Sequence, residues 1–193
     1  MKIILASKSE VRKKILDENN ISCEVIRSNV DEDQAKESLI DAGANPLLIS
    51  KNLAELKSKK VSSMNPDKIV LGADSVISLN DELINKPKSR DEALEILNKL
   101  NNSTHYLISS VCICKNNTMI WNHSEKSKLK MKNLTENELK DYLKKIETNI
   151  LLSYGVYQVE ADGLSLFESI EGDMDSIMGL PVKKIKEYLK ELK

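Results

Sequence analysis

Asp74 is the residue of this chain that most needs a chemical reason. It stands in "KIVLGADSVISL" between the apolar pairs Val70–Leu71 and Val76–Ile77, where an ionised carboxylate is costly to bury without a partner. Either a cation neutralises it or it lies at a crevice where its charge works; a turn at a strand end after Gly72 is the plainer alternative. Lys86 directly precedes Pro87, and proline confines the residue before it to extended conformations, giving the Lys86 side chain a defined direction. An ordinary surface lysine reads the same way. Near the start, "KIILASKSEVRKKIL" sets a short apolar run against Ser7 and Ser9 and then against a helix bearing Arg12, Lys13 and Lys14. The free N–H groups of a helix start, its dipole and two hydroxyls make an anion site. Cations in a helix's first turns oppose the dipole, a conflict that a bound anion would remove; a solvated helix face is the competing reading.

These residues need elements to hold them. Lys2–Leu5 reads as a buried strand, followed almost at once by a helix that the Ser7-x-x-Glu10 spacing would cap, as in an α/β unit whose strand end faces a ligand crevice. "SCEVIRSNVDED" reads as a second strand ending in Asp31, Glu32 and Asp33. Asn45 and Pro46 open an amphipathic helix that carries Lys57. Ser89 with Glu92 and Thr135 with Glu138 mark two more capping boxes, the first heading a helix with Leu94, Leu97 and Leu100 on one side. A hairpin turns at Asn116–Asn117, two further strand-like runs follow the Thr135 helix, and "LPVKKIKEYLKELK" closes as an amphipathic helix. No linker marks a boundary, so residues 1–193 read as a single domain. The class is α/β or α+β, with a mixed central sheet flanked by helices.

Composition excludes several functions. The 193 residues suffice for one buried core or a core split into two lobes. A net charge of −1 and a pI near 6.2 argue against a nucleic-acid or membrane footprint over the whole surface. Three cysteines form no disulfide framework; Cys112 and Cys114 alternate to one face of a strand, and the chain lacks a zinc-ligand spacing. They read as small apolar core residues in a reducing cytosol, which makes the expected location cytoplasmic. No signal peptide is expected, and no apolar run approaches the roughly 20 residues of a membrane span.

Set in order along the chain, these motifs resemble the Maf family, the septum formation proteins. The family's opening L-A-S-x-S-P-R-R-x-x-L-L is met by Leu5, Ala6, Ser7, Lys8, Ser9, Glu10, Val11 and Arg12, continuing to Leu16. Its Asp-Glu pair matches Asp31–Glu32, its L-A-x-x-K matches "LAELK" with Lys57, and its G-A-D-T matches Gly72–Ser75. Lys86–Pro87, His105, Gly155, Tyr157, Ile170–Gly172 and Gly179–Pro181 complete the pattern. Any one block is weak, and the whole series is specific.

The resemblance implies two lobes around a nucleotide-binding cleft, as in Maf and ITPase-like proteins. It implies a nucleoside triphosphate pyrophosphatase that releases a nucleoside monophosphate and pyrophosphate. A triphosphate needs its charge neutralised and a water aimed at phosphorus. Arg12, Lys57 and Lys86 are then the cations, Ser7, Ser9 and Ser75 the hydroxyl donors, and Glu32 and Asp74 the hard oxygen ligands for Mg²⁺ or Mn²⁺, with Asp74 also activating the water. A homodimer follows from the same resemblance. Glu10 and Val11 replace the family's Pro-Arg, and Glu160, or with a two-residue shift Gln158, stands where the pyrimidine-preferring branch carries glutamine. A carboxylate only accepts hydrogen bonds, so Glu160 favours a base with adjacent donors, such as guanine. Val11 replaces the aromatic residue by which the 7-methylguanosine branch would stack its base. The alternative to an enzyme is a nucleotide-binding regulator of cell division with little turnover.

Overall fold

The computed structural model describes residues 2–159 and 162–192. Its frame is a seven-stranded sheet in which β1 (Ile3–Leu5), β2 (Cys23–Val25), β3 (Val70–Leu79), β5 (Thr104–Lys115), β6 (Thr118–Met131) and β7 (Phe167–Glu171) lie in the order β2-β1-β3-β5-β6-β7, with β4 (Glu82–Ile84) also on β3. β1 runs parallel to β2 and β3, and the remaining pairs are antiparallel. The sheet is therefore mixed, flanked by helices as the sequence implies.

One edge of β3 is shared. β1 takes Val70 and Leu71, β4 takes Ile77–Leu79, and between them the strand has no ladder partner on that side, while β5 pairs the opposite edge from Val70 to Ser78. Asp74 lies in this gap. It is thus mid-strand and buried, not at a strand-end turn, because the β5 ladder keeps the backbone extended through Gly72, Asp74 and Ser75.

Alternation sends Gly72 and Asp74 to one face and Ala73 and Ser75 to the other. The first face is covered by α3 (Pro46–Met64), which Asn45 caps through Leu48 N–H with Pro46 in the first turn. Gly72 sets how close that helix comes: a Cβ there would stand 2.2 Å from the Ala54 carbonyl oxygen and 2.8 Å from Ser58. Cys112 and Cys114 share this face, their sulfurs 3.7 Å apart beneath Ala54. The second face carries one hydrophobic core under α1 (Glu10–Glu18) and α8 (Val182–Glu191), with Leu5, Leu16, Leu71, Ile113 and Ile185 fully buried. Another core gathers around α4 (Arg90–Leu100), α5 (Glu136–Lys144), α6 (Thr148–Tyr154) and β7, where Leu97, Leu100, Leu129, Met131 and Leu139 are fully buried. The cleft opens between the two.

Several local expectations change. The helix after β1 is capped by Ser9, which accepts from Arg12 N–H, while Ser7 folds inward, so the Ser7–Glu10 box does not form. Asp31 caps α2 (Glu32–Asp41) and accepts from Gln34 N–H, so the acidic cluster begins a helix and does not end a strand. Glu92 accepts from Lys88 N–H and not from its cap Ser89, which leaves that box half made; Thr135 and Glu138 form the complete reciprocal box. The first strand-like run after α5 is the helix α6, its Leu151 turned into the core. The hairpin turn stands, with Asn116 and Asn117 both at positive φ. Among the described residues no helix is long and apolar enough to cross a membrane.

Candidate active site

The gap beside Asp74 is the floor of a cleft of about 560 Å³. Its charged end joins four elements. Asp74 comes from β3, Lys57 from α3, Glu32 from the first turn of α2, and Lys86 from the segment after β4. Lys57 Nζ donates to Asp74 Oδ1 and to Glu32 Oε2, each at 2.8 Å. Lys57 and Asp74 are each 5% exposed, so the ion pair satisfies the cost that the sequence raises for a carboxylate in an apolar strand. Burial opposes ionisation of Glu32, yet the charge and hydrogen bond of Lys57, helped by Lys86 and Lys36, hold its carboxyl below the usual range. The other Asp74 oxygen, Oδ2, is buried and has no hydrogen-bond partner among the described residues. Lys86 is exposed as a whole residue but lines the cleft and donates to the Ser153 carbonyl at 2.7 Å, and desolvation there draws its pKa down to about 8. Glu32 and Asp74 resist that fall, and Arg12 and Lys36 add to it.

Arg12 reaches the cleft from the opposite face. Its Nε donates to the Gly179 carbonyl at 2.9 Å, Nη1 to the Ala73 carbonyl at 3.0 Å and to Ser7 Oγ at 3.4 Å, and Nη2 to Ser75 Oγ at 3.1 Å. The Ala73 carbonyl is one that the gap in the β3 edge leaves without a strand partner, so Arg12 fills the gap. Gly179, at φ +102°, brings its segment over the guanidinium, and a Cβ there would meet Ser75 Oγ at 3.1 Å. Desolvation lowers the Arg12 pKa from its usual value, and Asp74 and Glu32 counter it. The hydroxyls are engaged as acceptors: Ser7 Oγ takes Ser9 N–H and Arg12, Ser9 Oγ takes Arg12 N–H, and Ser75 Oγ takes Arg12 while bonding Ser109 Oγ. Their O–H hydrogens are what they can offer an anion.

The match that identifies the chain spans this whole arrangement. The family model described as Maf-like protein covers residues 2–192. The chain belongs to the Maf-like protein family. A nucleoside triphosphate pyrophosphatase from Pelagibacter ubique is 61% identical over 191 residues, covering 99% of this chain and 98% of that protein. A 7-methyl-GTP pyrophosphatase from Rhizobium johnstonii is 36% identical, covering 99% and 96%. Among solved structures, a HAM1 protein from Coxiella burnetii aligns with 69% of this chain and 74% of its own, at 14% identity and a TM-score of 0.47.

In this Maf-like protein the departures from the opening motif have different surroundings. Glu10 is exposed, and Val11 is half-buried, packing on the core under α1 while it lines the cleft. Glu160 lies outside the described residues. The apolar end of the cleft includes Ile77, Leu107, Val156 and Tyr157, with Tyr154 at the rim. Beneath it His105, fully buried, pairs Nε2 with Tyr157 Oη at 2.9 Å, and desolvation lowers its pKa to about 4. Sequence reading missed Arg27, Lys36 and Tyr154 in the walls. Lys36 alone had a signal, one helical turn beyond Glu32 on the same side.

The donor set can be tested against a metal ion. Among the described residues no three His, Cys, Asp or Glu side chains gather at one point. Two carboxylates, one with an unpartnered buried oxygen, fit a hard ion that keeps waters and completes its shell from a phosphate.

Proposed function

We propose that this protein hydrolyses nucleoside triphosphates between the α- and β-phosphorus, releasing the nucleoside monophosphate and pyrophosphate. The observation that carries the reading is Asp74, an acid held by Lys57 through one oxygen with its other oxygen unpartnered at the cleft floor. The names of the relatives point to the same reaction. In this reading the polyphosphate lies over the start of α1. Lys86 and the hydroxyls of Ser7, Ser9 and Ser75 bind its oxygens, and Arg12 shapes the floor while adding positive potential. Asp74 Oδ2 accepts a proton from the attacking water, and the bridging oxygen leaves with pyrophosphate. Glu32 and Asp74 would hold Mg²⁺ or Mn²⁺, which when bound neutralises phosphate charge.

The base lies toward the apolar end in this reading. Tyr154 offers a ring face for stacking there, and Val11 supplies only aliphatic surface. With Glu160 as a carboxylate, guanine-type nucleotides or a broadened range are the expected substrates. The homodimer implied by the family belongs to the same proposal.

Pyrophosphate release from a panel of nucleoside triphosphates, 7-methyl-GTP included, with Mg²⁺ or Mn²⁺ is the test. Release from at least one member is expected, guanine nucleotides being favoured. Binding without release from any member would overturn the reading in favour of a nucleotide-binding regulator.

A further inference from the structure

We propose that Lys57 occupies the cation place of the site in the free protein, so that a divalent ion enters as its nucleotide complex and not before. The inference rests on the metal-assisted reading above and concerns the order of binding. Lys57 Nζ lies 2.8 Å from Glu32 Oε2 and 2.8 Å from Asp74 Oδ1, between the two groups that would hold the ion. The ammonium is buried and cannot be left without acceptors.

A bare divalent ion arriving at these carboxylates meets that ammonium at close range in a poorly screened site, and charge repulsion opposes it. Displacing Lys57 would strand a buried cation. A nucleotide-bound ion changes both terms, because its complex is net negative and its phosphate oxygens accept the N–H bonds that Lys57 gives up. Lys57, on leaving, frees Asp74 Oδ1 and Glu32 Oε2 for the ion, while Asp74 Oδ2, which nothing in the described chain bonds, stays available to accept the proton. Lys57 thus turns from carboxylate to phosphate as the substrate seats, which couples neutralisation of the acids to the presence of substrate.

Mn²⁺ alone is the probe, its binding read from the relaxation of water protons with a protein-free manganese–nucleotide solution as blank. The wild-type protein should take up little Mn²⁺ at millimolar concentration, and should take up an ion when an α,β-methylene triphosphate analogue is added. Lys57→Gln should bind Mn²⁺ without nucleotide at least about tenfold more tightly than wild type, and the added change Asp74→Asn should remove that gain. Wild type binding free Mn²⁺ within twofold of Lys57→Gln overturns the proposal, as does the absence of uptake with the analogue. Should Lys57→Gln lose its near-ultraviolet circular dichroism, the wild-type arms decide: equal affinity with and without the analogue overturns it. Wild type that hydrolyses triphosphates yet binds free Mn²⁺ tightly refutes this inference alone; wild type that releases no pyrophosphate refutes the functional reading.

Discussion

At the charged end of the cleft, Lys57, Glu32 and Asp74 are joined by direct ion pairs, and Arg12 donates into carbonyls and hydroxyls. At the apolar end, Ile77, Leu107, Val156 and Tyr157 form a wall whose polar support, His105, is buried and neutral. The first end keeps charge in place by pairing it, and one Asp74 oxygen is left without a partner among the described residues. The second keeps charge out by burial. Changes at the charged end should therefore act on turnover, and changes at the apolar end on stability, except where one residue serves both.

The sharpest break of this contrast is Asp74→Asn. If Asp74 is the proton acceptor, as proposed, its loss should lower turnover by about a hundredfold to ten-thousandfold, while near-ultraviolet circular dichroism stays native, since Lys57 keeps Glu32. Pyrophosphate release within a few-fold of wild type would remove Asp74 from the chemistry.

His105 tests the other end. Its folded pKa of about 4 lies below the ordinary histidine value of 6.5, so between those values the unfolded chain binds more protons and stability rises with pH. The protein should lose roughly 3 kcal/mol through this group as pH falls from 6.5 through 4. Urea unfolding across that window measures it, and His105→Phe should flatten the slope. An unchanged slope would mean that His105 is not the buried neutral group described.

Arg12 is where the contrast should blur. Arg12→Met leaves the Ala73 and Gly179 carbonyls without their donor and should cost roughly 2–3 kcal/mol as well as activity, whereas Lys86→Met at the exposed rim should cost activity with little stability. Urea midpoints and pyrophosphate release on the same samples separate the two. Lys86 gives the smallest effect. Its pKa near 8 means that the free protein loses this cation above that pH, so kcat/KM should fall up to about tenfold per pH unit there. For stability the sign is opposite: between about 8 and 10.5 the unfolded chain binds the extra proton, and the folded state gains as pH rises. Lys86→Arg should carry the kcat/KM limb to higher pH, and a limb that stays near 8 would belong to another group.

Much of the frame was legible because its signals are local. Asn45–Pro46 and Thr135–Glu138 cap their helices through bonds spanning a single turn, and the paired asparagines turn the β5–β6 hairpin by their own positive φ. Ser7 misled for a related reason. Its spacing to Glu10 suits a cap, but Ser9 has the same chemistry, and Arg12 draws the Ser7 hydroxyl inward. The run after α5 misled because Leu151 and Leu152 read apolar in either conformation; the core that receives Leu151 decided for helix. The apolar end of the cleft was nearly invisible, since valine, isoleucine and leucine lining a cleft do not differ in type from those filling a core.

By itself the sequence determined which groups exist and how they are locally held: an acid in an apolar strand, a lysine on an amphipathic helix, serines at a basic helix start. The tertiary structure decided that Lys57 stands on both acids, that Arg12 serves the β3 edge as much as any anion, and that one Asp74 oxygen is left unpartnered. Those facts depend on contacts between residues far apart in the chain. Arg12 meets Gly179 across 167 positions, and Gly72 sets the approach of α3 that brings Lys57 to Asp74. Residue types limit such pairings, but only the packed strand edge and helix surface select among them.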